Sequence, residues 1–366
     1  MLAQQRRERL LAEMRNEGVE ALVAFGTSWQ EAHLRYVADF ATLEGSAIAI
    51  LTADGRCRMM LDSVTEAERA GGETSNIEIS YVRDVGRAAG DQLDRISNQK
   101  LAAVQRGLLP SFLTSGDRKF RLDDGANLID RLLMEKMPGE IAAIRRAVAL
   151  ADEGYAYFRD TAAKAGRKQY EVMAEVEAFL RSKGSPDNFM IMGSGNADVR
   201  GMAPPSERVL KPGDNVITEL TPSIDGYFAQ ICRTLVLGKA TDVQKKAFNV
   251  YYEAMEAGIA VVKPGVTAAD VARAENDVFR KYGLGDYVTS QYTRVRGHGL
   301  GLMCDLKPNI LEDIDVVLTE GMTIIVHPNT YHPEAGYMVL GDMVLITANG
   351  CERLTQTPAK LFEMPV

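Results

Sequence analysis

Two apolar β-hairpins, each carrying polar residues inside its strands, constrain this 366-residue chain more than any other feature. The first runs through NVITELT (215–221), a PSIDG turn and YFAQICRTLVL (227–237). The second runs through MTIIVHPNT (322–330), a YHPEAG turn and MVLGDMVLIT (338–347). Alternation along a strand puts Ile217, Glu219 and Thr221 on one face and Val216, Thr218 and Leu220 on the other. Between the hairpins, apolar residues recur at helical spacing over 242–260 and 268–282, and Thr267 with Asp270 forms a capping box for the second helix. Strands that pair as hairpins and alternate with helices predict an α+β fold, not a doubly wound parallel sheet.

Upstream, Pro138 and Gly139 suit the entry of a long amphipathic helix over 140–165, followed by another over 168–183. The preceding residues alternate helices (3–17, 63–72, 88–96) with strands (21–25, 46–55, 56–61, 76–82, 100–105). The reading is a mixed α/β domain over 1–136 and a catalytic domain over 137–366. The 50 acidic against 42 basic residues give a net charge of −8, which argues against a general nucleic-acid binder. No apolar run reaches the roughly 18–20 residues of a membrane span. The N-terminal stretch opens with the amphipathic helix over 3–17 and lacks the apolar core of a signal peptide, so a cytoplasmic location is expected. Cys57, Cys232, Cys304 and Cys351 lack metal-like or disulfide-like spacing and are expected to be reduced thiols.

The polar positions within the hairpins are the candidate site. With the first turn centred between Ile224 and Asp225, Glu219 lies opposite Gln230, and cross-strand partners share a face. A carboxylate among apolar residues needs a partner, and Tyr227 and Arg233 are candidates. With the second turn centred near Glu334, His327 lies opposite Gly341, and a glycine inside a strand marks close approach by a ligand or another backbone. RGHGLGL (296–302) presents His298 between glycines. His33 reads as structural and His332 as a surface residue. Cys304, six residues after His298, is a thiol near the site whose expected role is packing.

The order and spacing of GD (213–214), Glu219, GY (226–227), RT (233–234), GHGLGL and EGMTIIVHP resemble the creatinase/prolidase/methionine aminopeptidase superfamily, with its pita-bread fold and smaller N-terminal domain. In its metal-dependent members five side chains hold two ions. The resemblance sets Glu219 at the first Asp, Gln230 at the bridging Asp, His298 at the His, His327 at the first Glu and Gly341 at the bridging Glu. Losing both anionic bridges leaves the repulsion between two dications uncompensated, so neither a metal nor another cofactor is expected. Creatinase, a metal-free relative, uses a His where this chain has Met202, close to Arg200, and Asp305 stands at another substrate-side His of that enzyme. The resemblance also implies a homodimer in which the stretch Arg35–Glu44 reaches the partner's site.

The resulting expectation is a metal-independent hydrolase of a small-molecule amide, amidine or guanidine C–N bond. His298 and His327 would exchange protons, Glu219 would orient them, and Gln230 and Asp305 would bind substrate. Three alternatives stand beside it: a single-metal Xaa-Pro peptidase using Glu219, His298 and His327, a lyase or isomerase on the same pocket, and a non-catalytic binding protein.

Overall fold

The computed structural model describes residues 2–115 and 118–366. They fall into two compact units, Met1–Leu133 and Met134–Val366. In the first, a mixed six-stranded sheet has the order Glu78–Tyr81, Cys57–Leu61, Ser46–Thr52, Ala21–Thr27, Leu101–Ala103, Leu122–Asp124. Val23, Ile48 and Ile50 pack from its centre against Val85, Ala89 and Leu93 of a helix. His33 is buried in this unit, and burial lowers its pKa. The stretch expected to be a loop from Arg35 begins as helix. Ala32–Ala38 is helical because Leu34, Val37 and Ala38 bury together, and the turn ends at Asp39 in the left-handed region. Arg35 pairs with Glu31, and Glu44 accepts from the Ser63 hydroxyl, so both are engaged within their own unit.

The second unit contains two five-stranded sheets. One has the order Phe362–Met364, Ile231–Leu237, Asn215–Ile224, Asn188–Gly195, with Tyr227–Phe228 extending the first hairpin. The other has the order Leu306–Asn309, Gly297–Gly299, Thr323–Val326, Asp342–Thr347, Gly350–Arg353. Helices Asp242–Val261 and Ala268–Lys281 share one apolar core with the second sheet, through Ala254, Val271 and Phe279 against Ile324, Val326 and Val344. Each helix starts at a threonine cap: Thr267 with Asp270, as its spacing predicts, and Thr241 with Gln244, which the sequence reading did not single out. Among the described residues no helix is long and apolar enough to cross a membrane.

The first hairpin corrects the expected register. Asp225 and Gly226 both have positive φ, 52° and 80°, the signature of a two-residue Asp-Gly turn whose twist suits a hairpin. The centre therefore lies between these two residues, one position later than expected. Glu219 pairs with Cys232 rather than Gln230. A two-residue slip keeps side chains on the same face, so Gln230 remains on the side of Glu219.

The second hairpin keeps its expected register, with Val326 opposite Asp342. Gly341 is not a vacant substrate position, however. Its backbone bridges to Cys232, the Gly341 N–H donating to the Cys232 carbonyl at 3.0 Å. A Cβ there would lie 2.6 Å from the His327 Cβ and 3.2 Å from the Cys232 Cβ. The close approach is therefore by another backbone, and it joins the two sheets. Replacing Gly341 with Ala is expected to destabilise the protein by about 1–3 kcal/mol through overpacking. Gly350→Ala, where nothing lies within 4 Å of the added carbon, should change stability by less than about 1 kcal/mol. Urea denaturation of both variants checks this; equal effects would contradict it.

Candidate functional site

Between the sheets of the second unit lies a cavity of about 740 Å³, a volume in the range of small-molecule sites. Glu219, Gln230, His298 and His327 line it, as do Met202, Arg200 and Asp305. Tyr227, Arg233 and Gly341 are absent from its lining. The Tyr227 hydroxyl donates to Glu140 at 2.8 Å. The Arg233 guanidinium, fully buried, donates to Asp342 at 2.6 Å and to the Gly341 carbonyl at 2.8 Å. Both were candidate partners for Glu219, and both are engaged elsewhere.

The partners of Glu219 are Asn329 and Cys232. The Asn329 amide donates to Glu219 Oε1 at 2.8 Å, and the Cys232 thiol, directly across the ladder, bonds to the same carboxyl. Burial raises the Glu219 pKa to about 7, opposed by these two hydrogen bonds and by Arg294, and reinforced by Asp305. The Gln230 amide donates to the Cys232 sulfur at 3.3 Å. Asn329 and Cys232 were missed by the sequence reading. Each lies two residues from a named candidate, His327 or Gln230, so strand alternation carried the signal.

His298 is held in a glycine frame because a Cβ at Gly297 or Gly299 would strike the carbonyl oxygen of Ile325 or Lys307 on a flanking strand, at 2.1 and 2.2 Å. Its Nδ1 lies 2.9 Å from the Gly299 carbonyl oxygen. A carbonyl only accepts, so Nδ1 carries the hydrogen and Nε2 the lone pair. Burial lowers its pKa, partly offset by Asp305, whose Oδ1 is 3.8 Å from Nδ1. His327 packs edge-on at a ring-centroid distance of 5.4 Å. Burial, then the neighbouring His298, hold its pKa well below the ordinary value. Both imidazoles are therefore neutral at pH 7. Asp305 is paired with Arg294 at 2.5 Å. Cys304 lines the cavity, but burial and Asp305 raise its pKa, so it stays a thiol at neutral pH.

The donor set was tested against a metal ion. Among the described residues no group of three His, Cys, Asp or Glu side chains is arranged to hold one. Glu219 already accepts from two donors, Gln230 is neutral and Gly341 has no side chain. These residues do not fit the carboxylate cage of a metal pair.

Residues 142–348 match the model of metallopeptidase family M24. The chain belongs to this family. It is 31% identical over 246 residues to a Xaa-Pro dipeptidase of Pyrococcus furiosus, covering 66% of this chain and 68% of that enzyme. It is 30% identical over 242 residues to a probable dipeptidase, PepE, of Mycobacterium tuberculosis, covering 66% and 63%. The chain thus spans about two thirds of the length of the curated relatives it matches. The solved Xaa-Pro dipeptidase from Bacillus anthracis superposes with a TM-score of 0.84 at 25% identity, covering 99% of this chain and 100% of that one. The α+β pita-bread fold follows, and the family places the chain among hydrolases. The expectation of a metal-independent, creatinase-like hydrolase of a small-molecule amide, amidine or guanidine bond is overturned by these relatives, which are named as dipeptidases and favour the Xaa-Pro peptidase alternative. The scaffold shared with dipeptidases is a better guide to the bond cleaved than the lost carboxylates.

The raised Glu219 pKa has a measurable consequence. Its folded value of about 7 exceeds the ordinary carboxyl value of 4.5, so its contribution is fully present below about pH 4.5 and is lost as pH rises through 7. The loss is on the order of 3 kcal/mol. Glu219→Gln cannot ionise and should gain stability relative to the parent between pH 5 and pH 8. Chemical denaturation at both values tests this; a pH-independent difference would contradict it.

Proposed function

We propose that the protein is a hydrolase of short peptides of the Xaa-Pro type. The observation that carries this reading is the convergence of a carboxyl group poised near neutrality, Glu219, with the neutral imidazole of His298 on one cavity, in a chain aligned with Xaa-Pro dipeptidases. A group titrating near pH 7 both accepts and returns a proton at low cost. Glu219 would take the proton of the attacking water and return it to the departing nitrogen. The unprotonated Nε2 of His298 would orient that water. Arg200, stacked over Tyr331 with its guanidinium carbon 4.5 Å from the ring centre, would draw the carboxylate of a dipeptide. The family name implies a metal, but the donors present do not fit a pair, and no step is routed through one. A homodimer belongs to the same reading: Trp29 is 92% and Leu43 73% exposed in the N-terminal unit, and light scattering should return twice the chain mass rather than the chain mass itself.

The deciding experiment incubates the protein with a panel of Xaa-Pro dipeptides, as purified, after chelation, and after addition of Mn²⁺ or Zn²⁺. Free proline should appear, and Glu219→Gln should reduce its release by about 10²-fold or more. If no dipeptide is cleaved in any of the three conditions, the reading is wrong.

A further inference from the structure

Behind the cavity, two charged side chains are buried without direct partners for most of their polar atoms. Glu275, on the helix Ala268–Lys281, is 0% exposed, and both carboxyl oxygens lack a hydrogen bond. Arg296, two residues before His298, is 1% exposed, and its Nε and Nη2 lack partners. The two feel each other's charge, yet among the described residues no ion pair within 4.0 Å joins them. Room for Glu275 is made by Gly258 on the adjacent helix, where a Cβ would lie 2.7 Å from the Glu275 Cγ and 2.9 Å from a Val326 methyl. Isolated buried charges are costly, and apolar residues of similar volume at such positions are often neutral or stabilising. Stability alone therefore does not account for this pair.

Arg296 leads directly to the site. Its Nη1 donates to the Asn329 carbonyl at 3.3 Å, and its own carbonyl accepts from the His327 N–H at 2.9 Å. The Asn329 side chain then donates to Glu219 at 2.8 Å and accepts from the Leu340 N–H at 3.0 Å. The guanidinium thus holds the Asn329 carbonyl, while the Arg296 main chain holds His327. Buried polar atoms left without direct partners, as at Glu275 and Arg296, are the usual setting of trapped water.

We propose that Glu275 and Arg296, joined through trapped water, are positioning residues that fix the His327–Asn329 segment and so hold the Asn329 amide on Glu219. The kinetic part of the test rests on the peptidase reading above; the structural part does not.

A crystal structure of the protein at a resolution that shows ordered water should reveal density linking Glu275 to Arg296; a dry gap or a direct ion pair overturns the proposal. The variant Arg296→Met with Glu275→Leu removes both charges together, so no lone ion is left buried. In its structure the Asn329 amide should leave Glu219, and kcat for proline release should fall by about 100-fold, the scale of a small misplacement of a reacting group. KM should stay within about twofold, because the interaction is one that substrate does not make. Arg296→Lys, which keeps the charge and a donor toward Asn329, should recover most of the activity; if the double variant fails to fold, the ordered water in the parent structure still decides. An Asn329–Glu219 contact that persists in the double variant, or an unchanged kcat once the contact is lost, overturns the proposal. Should the parent protein cleave no peptide, the failure belongs to the peptidase reading, and the water and the Asn329 contact still decide this one.

Discussion

The site depends on one buried guanidinium. Arg233 is fully enclosed and donates to Asp342, to the carbonyls of Cys232 and Gly341, and to Thr357. Asp342 is itself 1% exposed; burial raises its pKa and Arg233 opposes the rise. Removing either partner would strand a charge in the interior, which is far costlier than the pair is stabilising. The staple brings the two hairpins together where Cys232 and Gly341 exchange backbone hydrogen bonds. That junction explains the bare glycine at 341. It also fixes what stands on either side: Glu219 across the ladder from Cys232, and His327 beside Gly341.

The electrostatic character of the cavity follows from that packing. Burial favours neutral forms at Glu219, His298 and His327 alike. Asp305 is compensated by Arg294. A cavity whose buried groups favour neutral forms is suited to moving a proton near neutrality and is unlike a cage of ionised carboxylates. Its scaffold is nevertheless that of a metallopeptidase family. The scaffold and the donor set therefore carry different information: the first identifies the relatives, and the second defines what these particular side chains can do.

The sequence was legible where local rules dominate. Helices over 242–260 and 268–282 were legible from their periodicity, the second also from its Thr267 cap; the hairpin positions Glu219, Gln230 and His327 and the glycine-flanked His298 all line one cavity. It was less legible where tertiary packing decides. The Asp225–Gly226 turn signal was present but the centre was set one residue early. At Gly341 the sequence leaves ligand and backbone approach open, and only the packing shows that a neighbouring backbone fills the space. Asn329 and Cys232 look like ordinary strand residues until the register shows them bonded to Glu219. Glu275 stands three and four residues from Val271, Ala272, Val278 and Phe279 on the buried face of its helix, so its spacing signals burial while its charge suggests a solvated residue.

The central claim is that water, activated at Glu219, cleaves a peptide bond in this cavity. The most direct measurement is mass spectrometry of the products formed from a Xaa-Pro dipeptide in water enriched in ¹⁸O. The account predicts one solvent oxygen in the new carboxylate of the N-terminal residue and none in the released proline after a single turnover. Products without solvent oxygen, or with label only in proline, would contradict it.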